Sequence, residues 1–406
     1  MRTRNLWSSA TMWFEHRFGQ RNMSPYDSRY FQPALSGDGG SPLWPSQPWM
    51  DGNFWASIST EPDSGSLSSG GQRSSRAGSS NGSTIGTHGG RNPDGTPRFD
   101  QAVGQNAYLW WYIDALSDDG QHGIVLIAFV GSVFSPYYAW ARRGQTLVNP
   151  ENHCSLNVAI YSKGKNRWAM TERGEKQISR SSTEFVIGPS NLRWDGNKLI
   201  VQIEERAVPL GQKVSGTVEL YPNTLFNFST PLDAAGKHRW GPLAPSARVK
   251  VRLNSPNLQW EGNAYLDSNE GDEPISKSFH EWDWSRAEMS GGRTSVIYDV
   301  REKSSEEKIL ALTFNPNGTI DHFEPPPRQA LPKTIWGIQG HMRNQSAESL
   351  DVIQVLENTP FYTRSVLNSE LLGEKVVSFH ETLNVPKLTS AATQFMLPWR
   401  MPRITW

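Results

Sequence analysis

Beyond about residue 98, hydrophobic and polar positions follow the period of a strand rather than a helix. In Arg248–Leu253, Val249, Val251 and Leu253 fall on one side and Arg248, Lys250 and Arg252 on the other. That alternation predicts a strand with one buried and one wet face. Asn106–Leu116 is an aromatic and β-branched run, and Gly123–Phe134 is a nearly continuous apolar run of 12 residues. A membrane-spanning helix needs roughly 20 apolar residues, so this shorter run, bounded by Asp-Asp-Gly and Ser-Pro, predicts a buried strand. Asp118-Asp119-Gly120 predicts the hairpin turn between the two. Asp195-Gly196-Asn197 predicts another, joining Leu192–Trp194 to Lys198–Glu205. Further strands are predicted at Leu156–Tyr161, Trp168–Thr171, Phe185–Ile187, Ser295–Val300, Lys308–Phe314, Ile335–Gln339, Leu350–Leu356 and Glu374–Glu381. Many short strands, few helices and no fixed-period repeat predict an all-β chain of sandwiches or closed barrels.

The first hundred residues break this pattern. Ser64–Gly90 holds nine Ser and eight Gly, so it buries too little apolar surface to offset the entropy of ordering and is expected to be a flexible linker. The N-terminus carries early positive charge without an apolar core, which argues against a secretory signal. Its Trp7, Met12, Trp13 and Phe14 would suit either a short membrane-touching patch or a plain tail. The 40 basic and 40 acidic residues cancel, which argues against a general nucleic-acid binder. A single cysteine, Cys154, excludes an intrachain disulfide or a multi-cysteine metal site and fits a reducing compartment. Trp (17) outnumbers Phe (16) and Tyr (11). That excess fits a Trp-rich β core or a site for a large, flat apolar ligand.

No phosphate loop, nucleophile elbow or zinc-protease motif occurs, and the nine His lack metal-ligand spacing. Acid–base chemistry without a cofactor, or binding alone, is left. Two short segments concentrate reactive side chains. In an extended His238-Arg239-Trp240, His238 and Trp240 share a face; in Tyr265-Leu266-Asp267, so do Tyr265 and Asp267. Together they offer one acid, one imidazole and two aromatics. The plainer alternatives are a turn-capping Asp267, a surface His238 and a core Trp240. Asp114 would either point inward or close a strand. Asp283, between Trp282 and Trp284, is expected to be exposed, and Glu172 and Arg173 to form a structural pair.

The run YLWWYIDALSDDGQHGIVLIAFVGSVFSPYYAWARRG (Tyr108–Gly144) resembles the carotenoid 1,2-hydratase family of purple bacteria. So do Asn152-His153-Cys154, Arg167–Gly174, His238–Pro242 and Tyr265–Asn269, in order over about residues 100 to 395. The family is similar to a wider group of tocopherol cyclases and lipocalin-like proteins with two tandem β-barrel domains, in which a Tyr-x-Asp-x-Asn pattern recurs; here it is Tyr265, Asp267 and Asn269. Where that group often has His-Asn-Trp-Gly after the Asp, this chain has Ser268-Asn269-Glu270-Gly271, which weighs against a cyclase.

The resemblance implies lipocalin-like β domains over 99–244 and 245–395; composition leaves a disordered tail over 1–98, and 396–406 is expected to be a C-terminal tail. It implies hydration of the terminal C1=C2 bond of acyclic carotenoids such as neurosporene and lycopene, with no cofactor and no metal. Asp267, buried in an apolar barrel mouth, would deliver the proton. Trp240 and Tyr265 would stabilise the carbocation. His238 would orient Asp267 or take a proton from water. A cyclase in which an internal hydroxyl captures the cation and a non-catalytic carotenoid carrier are the alternatives. Such a substrate lies in the bilayer, so a cytoplasmic protein associated peripherally with the inner or photosynthetic membrane is expected, with other carotenoid-pathway enzymes as possible neighbours and no nucleic acid.

Overall fold

The computed structural model describes residues 89–405 apart from Gln145, Ser305 and Glu306. Trp7, Met12, Trp13, Phe14 and nearly all of the Ser/Gly-rich stretch lie outside the described residues. The first sheet is built from β1 (Tyr108–Ser117), β2 (His122–Val130), β3 (Cys154–Ser162), β4 (Arg167–Arg173), β5 (Ile178–Arg180), β6 (Glu184–Ile187), β7 (Ser190–Trp194), β8 (Leu199–Arg206), β9 (Lys213–Pro222), β10 (Thr230–Pro231), β11 (His238–Ser255) and β12 (Leu258–Gly271). The second begins with β13 (Phe279–Glu288), β14 (Thr294–Glu302), β15 (Glu307–Phe314) and β16 (Ile320–His322). A separate hairpin, β17 (Arg328–Ala330) and β18 (His341–Arg343), interrupts it before β19 (Asp351–Asn358), β20 (Tyr362–Leu371) and β21 (Glu374–Asn384) complete it. The last strand, β22 (Arg403–Ile404), returns to the first sheet and pairs parallel with β4. The chain is all-β.

Strand order explains where the site can be. The first sheet runs β22-β4-β3-β2-β1-β12-β11-β9-β8-β7-β6-β5, and the second β16-β15-β14-β13-β21-β20-β19. In β1, Leu109, Trp111, Ile113 and Ala115 enter the first sheet's own core with Leu126, Ala128 and Leu266. Tyr108, Trp110 and Tyr112 take the opposite face and pack with Trp282, Trp284, Tyr298 and Phe379 of the second sheet. β1 is thus covered on both faces, which is why it reads as an unbroken apolar run rather than an alternation.

Four short helices occur among the described residues: α1 (Pro136–Gly144), α2 (Ile275–Ser278), α3 (Val385–Thr389) and α4 (Ala391–Arg400). Their starts follow local chemistry. Ser135 Oγ accepts the Tyr138 N–H at 3.0 Å, with Pro136 at the first helical position. Asn384 Oδ1 accepts the Lys387 N–H at 3.0 Å, and Ser390 Oγ the Thr393 N–H at 3.3 Å.

Several expectations are corrected. The junction placed at 244/245 lies inside β11; Pro242 and Pro245 sit at bulges in its pairing with β12, and the chain leaves the first sheet only after Gly271. Residues 89–98 are not tail. Arg91 is buried and donates to the carbonyls of Gly241 (2.6 Å) and Pro242 (2.9 Å) and to Ser268 Oγ (2.7 Å), and Gly90 O accepts the Trp111 indole N–H at 2.9 Å. Gly90 has φ +60, and a Cβ there would lie 2.6 Å from the Trp111 ring, so only glycine fits. Residues 396–405 are not tail either: Leu397 and Met401 are buried and β22 extends the sheet. Ile335–Gln339 forms a turn rather than a strand, with the Gly337 N–H bonded to Thr334 O.

Asp283 does lie on the face opposite Trp282 and Trp284, but that face is covered. Its carboxylate accepts from Thr382 Oγ1 (2.6 Å), Arg301 Nη2 (2.5 Å) and the His341 N–H (3.1 Å). Glu172 and Arg173, adjacent on one strand, point to opposite faces and do not pair with each other. Glu172 meets His153 and Arg403, and Arg173 meets Glu205.

Candidate active site

The three central strands β1, β12 and β11 set the site by register. Tyr112 lies opposite Asp267 and Trp110 opposite Asn269 across β1–β12; Trp240 lies opposite Asn269 across β11–β12. Side chains two apart share a face, so Tyr265, Asp267 and Asn269 project together with Trp110, Tyr112 and Trp240 toward the second sheet. That sheet answers with Trp284 opposite Glu381, and Arg364 opposite Glu381 on the other side. The site is therefore a layer between two sheets. It is not a barrel mouth, because the first sheet's interior is filled by its own core.

Asp267 is 3% exposed. Its Oδ2 accepts two hydrogen bonds, from Trp240 Nε1 at 2.8 Å and from the Tyr265 hydroxyl at 2.9 Å. Its Oδ1 is buried and meets no protein partner. Burial pushes the carboxyl pKa up to about 8, and the two donors, which favour the ionised form, are outweighed. The group is thus a carboxylic acid at neutral pH. With Oδ2 saturated as an acceptor, the proton belongs on Oδ1.

Asp267 forms part of the wall of a cavity of about 40 Å³ between the sheets, with Asn269, Trp110, Tyr112, Phe129, Phe134, Trp282, Trp284, Tyr298, Tyr362 and Glu381. That volume takes about one water molecule. The walls are mostly aromatic faces, and Trp284 also carries an indole N–H without a protein partner. Glu381 is the second carboxylate here. Its Oε1 accepts from the Tyr112 hydroxyl at 2.6 Å, across the sheets, and from Arg364 Nε at 2.7 Å. Arg364 also reaches Tyr161 and Glu357. A second cross-sheet tie joins Arg286 Nε to Asp114 Oδ1 at 2.7 Å, so Asp114 points inward.

The four residues singled out from sequence divide. Asp267, Tyr265 and Trp240 come together, but Tyr265 and Trp240 hold Asp267 by their polar tips and do not line the cavity. The aromatic side chains at the cavity are those of Trp110, Tyr112, Phe129, Phe134, Trp282, Trp284, Tyr298 and Tyr362. His238 does not reach Asp267. It lies opposite Gly271, four residues along β12, or roughly 13 Å at strand spacing. Its Nδ1 pairs with the Tyr108 hydroxyl at 2.8 Å and its Nε2 with Ser278 Oγ at 3.1 Å. Burial lowers its pKa, leaving a neutral imidazole. It supports Tyr108, which stacks on Trp110 at 4.9 Å. Glu381 was missed. Its signal was a carboxylate sharing a strand face with Phe379 and Leu383, an acid in an apolar stripe.

The family described as "Carotenoid hydratase CrtC" matches residues 126–406. The acyclic carotenoid 1,2-hydratase of Rubrivivax gelatinosus is 50% identical over 378 residues, 93% of each chain. That of Thiocapsa roseopersicina is 43% identical over 405 residues, 100% of each. Among solved structures, a putative AttH from Nitrosomonas europaea superposes with a TM-score of 0.50 at 13% identity, covering 68% of this chain and 92% of its own; that likeness concerns the fold alone. With more than half of its length matched and relatives this similar end to end, the chain belongs to the carotenoid hydratase family.

Proposed function

We propose that this protein hydrates the terminal C1=C2 double bond of acyclic carotenoids, with Asp267 as the acid. The observation that carries the reading is the state of Asp267: a carboxyl kept protonated by burial, with Oδ2 saturated and Oδ1 without a protein partner, at an aromatic-walled cavity. The Oδ1 proton passes to C2 of the alkene. The π electrons form the new C–H bond and leave a tertiary cation at C1. The ring faces of Trp110, Trp282, Trp284, Tyr112 and Tyr298 attract that cation, each by about 0.5–2 kcal/mol when well placed. Water adds to C1, and the resulting oxonium gives its proton to Glu381. Return of that proton to Asp267 closes the cycle, so the sum is addition of one water. Trp240 and Tyr265 position the acid, and Trp284 Nε1 and Glu381 are the groups that hold the water.

The substrate end is larger than the cavity, so the aromatic walls part to admit it. Because carotenoids reside in the bilayer, this reading has the protein work at the membrane surface, on the cytoplasmic side. The test is incubation of purified protein with dispersed lycopene or neurosporene in ¹⁸O-labelled water, without added cofactor, followed by mass spectrometry. A product heavier by one labelled water is expected. An isomeric, unlabelled product would instead mark a cyclase, and an unchanged but co-purifying pigment a carrier.

A further inference from the structure

Helices α1 and α4 pack against each other on the outside of the molecule. They and the segment after α1 leave large apolar side chains in solvent: Trp140 is 39% exposed, Leu147 65%, Phe395 69% and Trp399 61%. Phe395 and Trp399 sit one turn apart, their ring centroids at 4.9 Å. Caps and buried faces fix both helices, so this exposure is built in rather than left by fraying.

The two segments that carry these rings hold charge of one sign. Residues 133–148 and 385–405 contain Arg142, Arg143, Lys387, Arg400 and Arg403 and no Asp or Glu, in a chain whose total charge is zero. Arg403 is matched by the buried Glu172. The other four have no carboxylate partner among the described residues. Arg142 lies over the Tyr138 ring at 3.9 Å, Arg400 over Trp168 at 4.5 Å, and Lys387 donates to Trp336 O. A surface cleft lined by Tyr137, Trp140, Leu147 and Arg403 continues the face, with Glu175 as its carboxylate. Interfacial aromatics beside unmatched cations are what an anionic lipid headgroup layer accepts.

The inner faces of the same segments reach the cavity layer. Phe134, two residues before α1, lines the cavity and packs on Phe129 at 5.7 Å. Leu388, Leu397 and Met401 belong to the same apolar layer as Trp110, Trp282 and Trp284. We infer that α1 and α4 form a docking face for an anionic bilayer and deliver the carotenoid from it to the cavity between the sheets. The delivery half rests on the hydratase reading; the docking half does not.

The test uses the full chain and vesicles of phosphatidylglycerol and phosphatidylcholine in equal parts, against phosphatidylcholine alone. The protein is expected to sediment with the anionic vesicles and to be released by high salt. The Phe395→Ser/Trp399→Ser double variant is expected to lose binding by about tenfold or more, and Arg143→Ser/Arg400→Ser to lose mainly the preference for anionic lipid. Hydration of vesicle-held lycopene falls in parallel in the first variant, while hydration of detergent-dispersed lycopene is unchanged. Equal sedimentation of wild type and double variant overturns the proposal, as does failure of the wild type to bind. A wild-type dimer in solution that the double variant dissociates also overturns it, by showing that a second copy covers this face. Absence of hydration in detergent, with vesicle binding intact, would sink the hydratase reading and leave the docking face standing.

Discussion

Asp267 is an acid at neutral pH because burial takes it out of bulk solvent, against two hydrogen-bond donors that favour its anion. Hydration is expected to decline as pH rises through about 8, where the proton is lost. Asp267→Asn keeps the shape and removes the acid, and is expected to cost about 10²–10⁴ in rate with the fold retained. Trp240→Phe and Tyr265→Phe each remove a donor to Oδ2. The alkaline limb of the pH–rate profile should then move upward, because the anion has lost support. Glu381→Gln should move that limb downward, since the Glu381 charge raises the Asp267 pKa, and should slow turnover through loss of the water-side base. The shift reports the Glu381 charge alone; a slower rate on the plateau below the limb is what a base at the water would add, and an unchanged plateau would mark a purely structural role. Linkage gives an independent check. The native state holds a proton at Asp267 that the unfolded chain releases near pH 4, so this group makes stability fall as pH rises from about 4 to about 8. Denaturant titrations across that window should show the slope in wild type and its reduction in Asp267→Asn.

At the scale of elements, much of the site was legible because strands reveal their faces. Tyr265 and Asp267 share a face by period two, and β12 places them together as read. His238 shares its face with Trp240 too, but sharing a face does not set the distance along the neighbouring strand. That depends on the β11–β12 register and on the bulges at Pro242–Ala247, neither of which a single sequence displays. Glu381 lies 114 residues from Asp267 by number and meets it only through sheet-on-sheet packing. Gly89 and Gly90 end the stretch expected to be linker, and Arg91 falls in the expected tail, because glycine and serine dominate what precedes it. Yet Arg91 bonds to Gly241 O, Pro242 O and Ser268 Oγ behind Asp267. Arg91→Met would leave those buried acceptors without donors, at about 1–3 kcal/mol each before relaxation. A loss of about 2–4 kcal/mol in chemical denaturation is expected, with activity reduced because the backbone behind Asp267 loosens.

For the molecule as a whole, the all-β class was legible, but the place of the site was not. Apolar runs such as Tyr108–Leu116 announce burial on both faces without saying what covers each. Here one face closes a core within the first sheet and the other meets a second sheet. The cavity, its two carboxylates and the cross-sheet bonds Tyr112–Glu381 and Arg286–Asp114 exist only in that second contact. The proposed catalysis by this layer rests on one claim, that Asp267 carries a proton while the enzyme is active. Difference infrared spectroscopy of wild type against Asp267→Asn, titrated from about pH 6 to 10 beside the hydration rate, measures it directly. The expected result is a protonated-carboxyl band present in wild type at neutral pH, absent from the variant, and lost near pH 8 together with activity. An ionised Asp267 at neutral pH in an enzyme hydrating at full rate would contradict it.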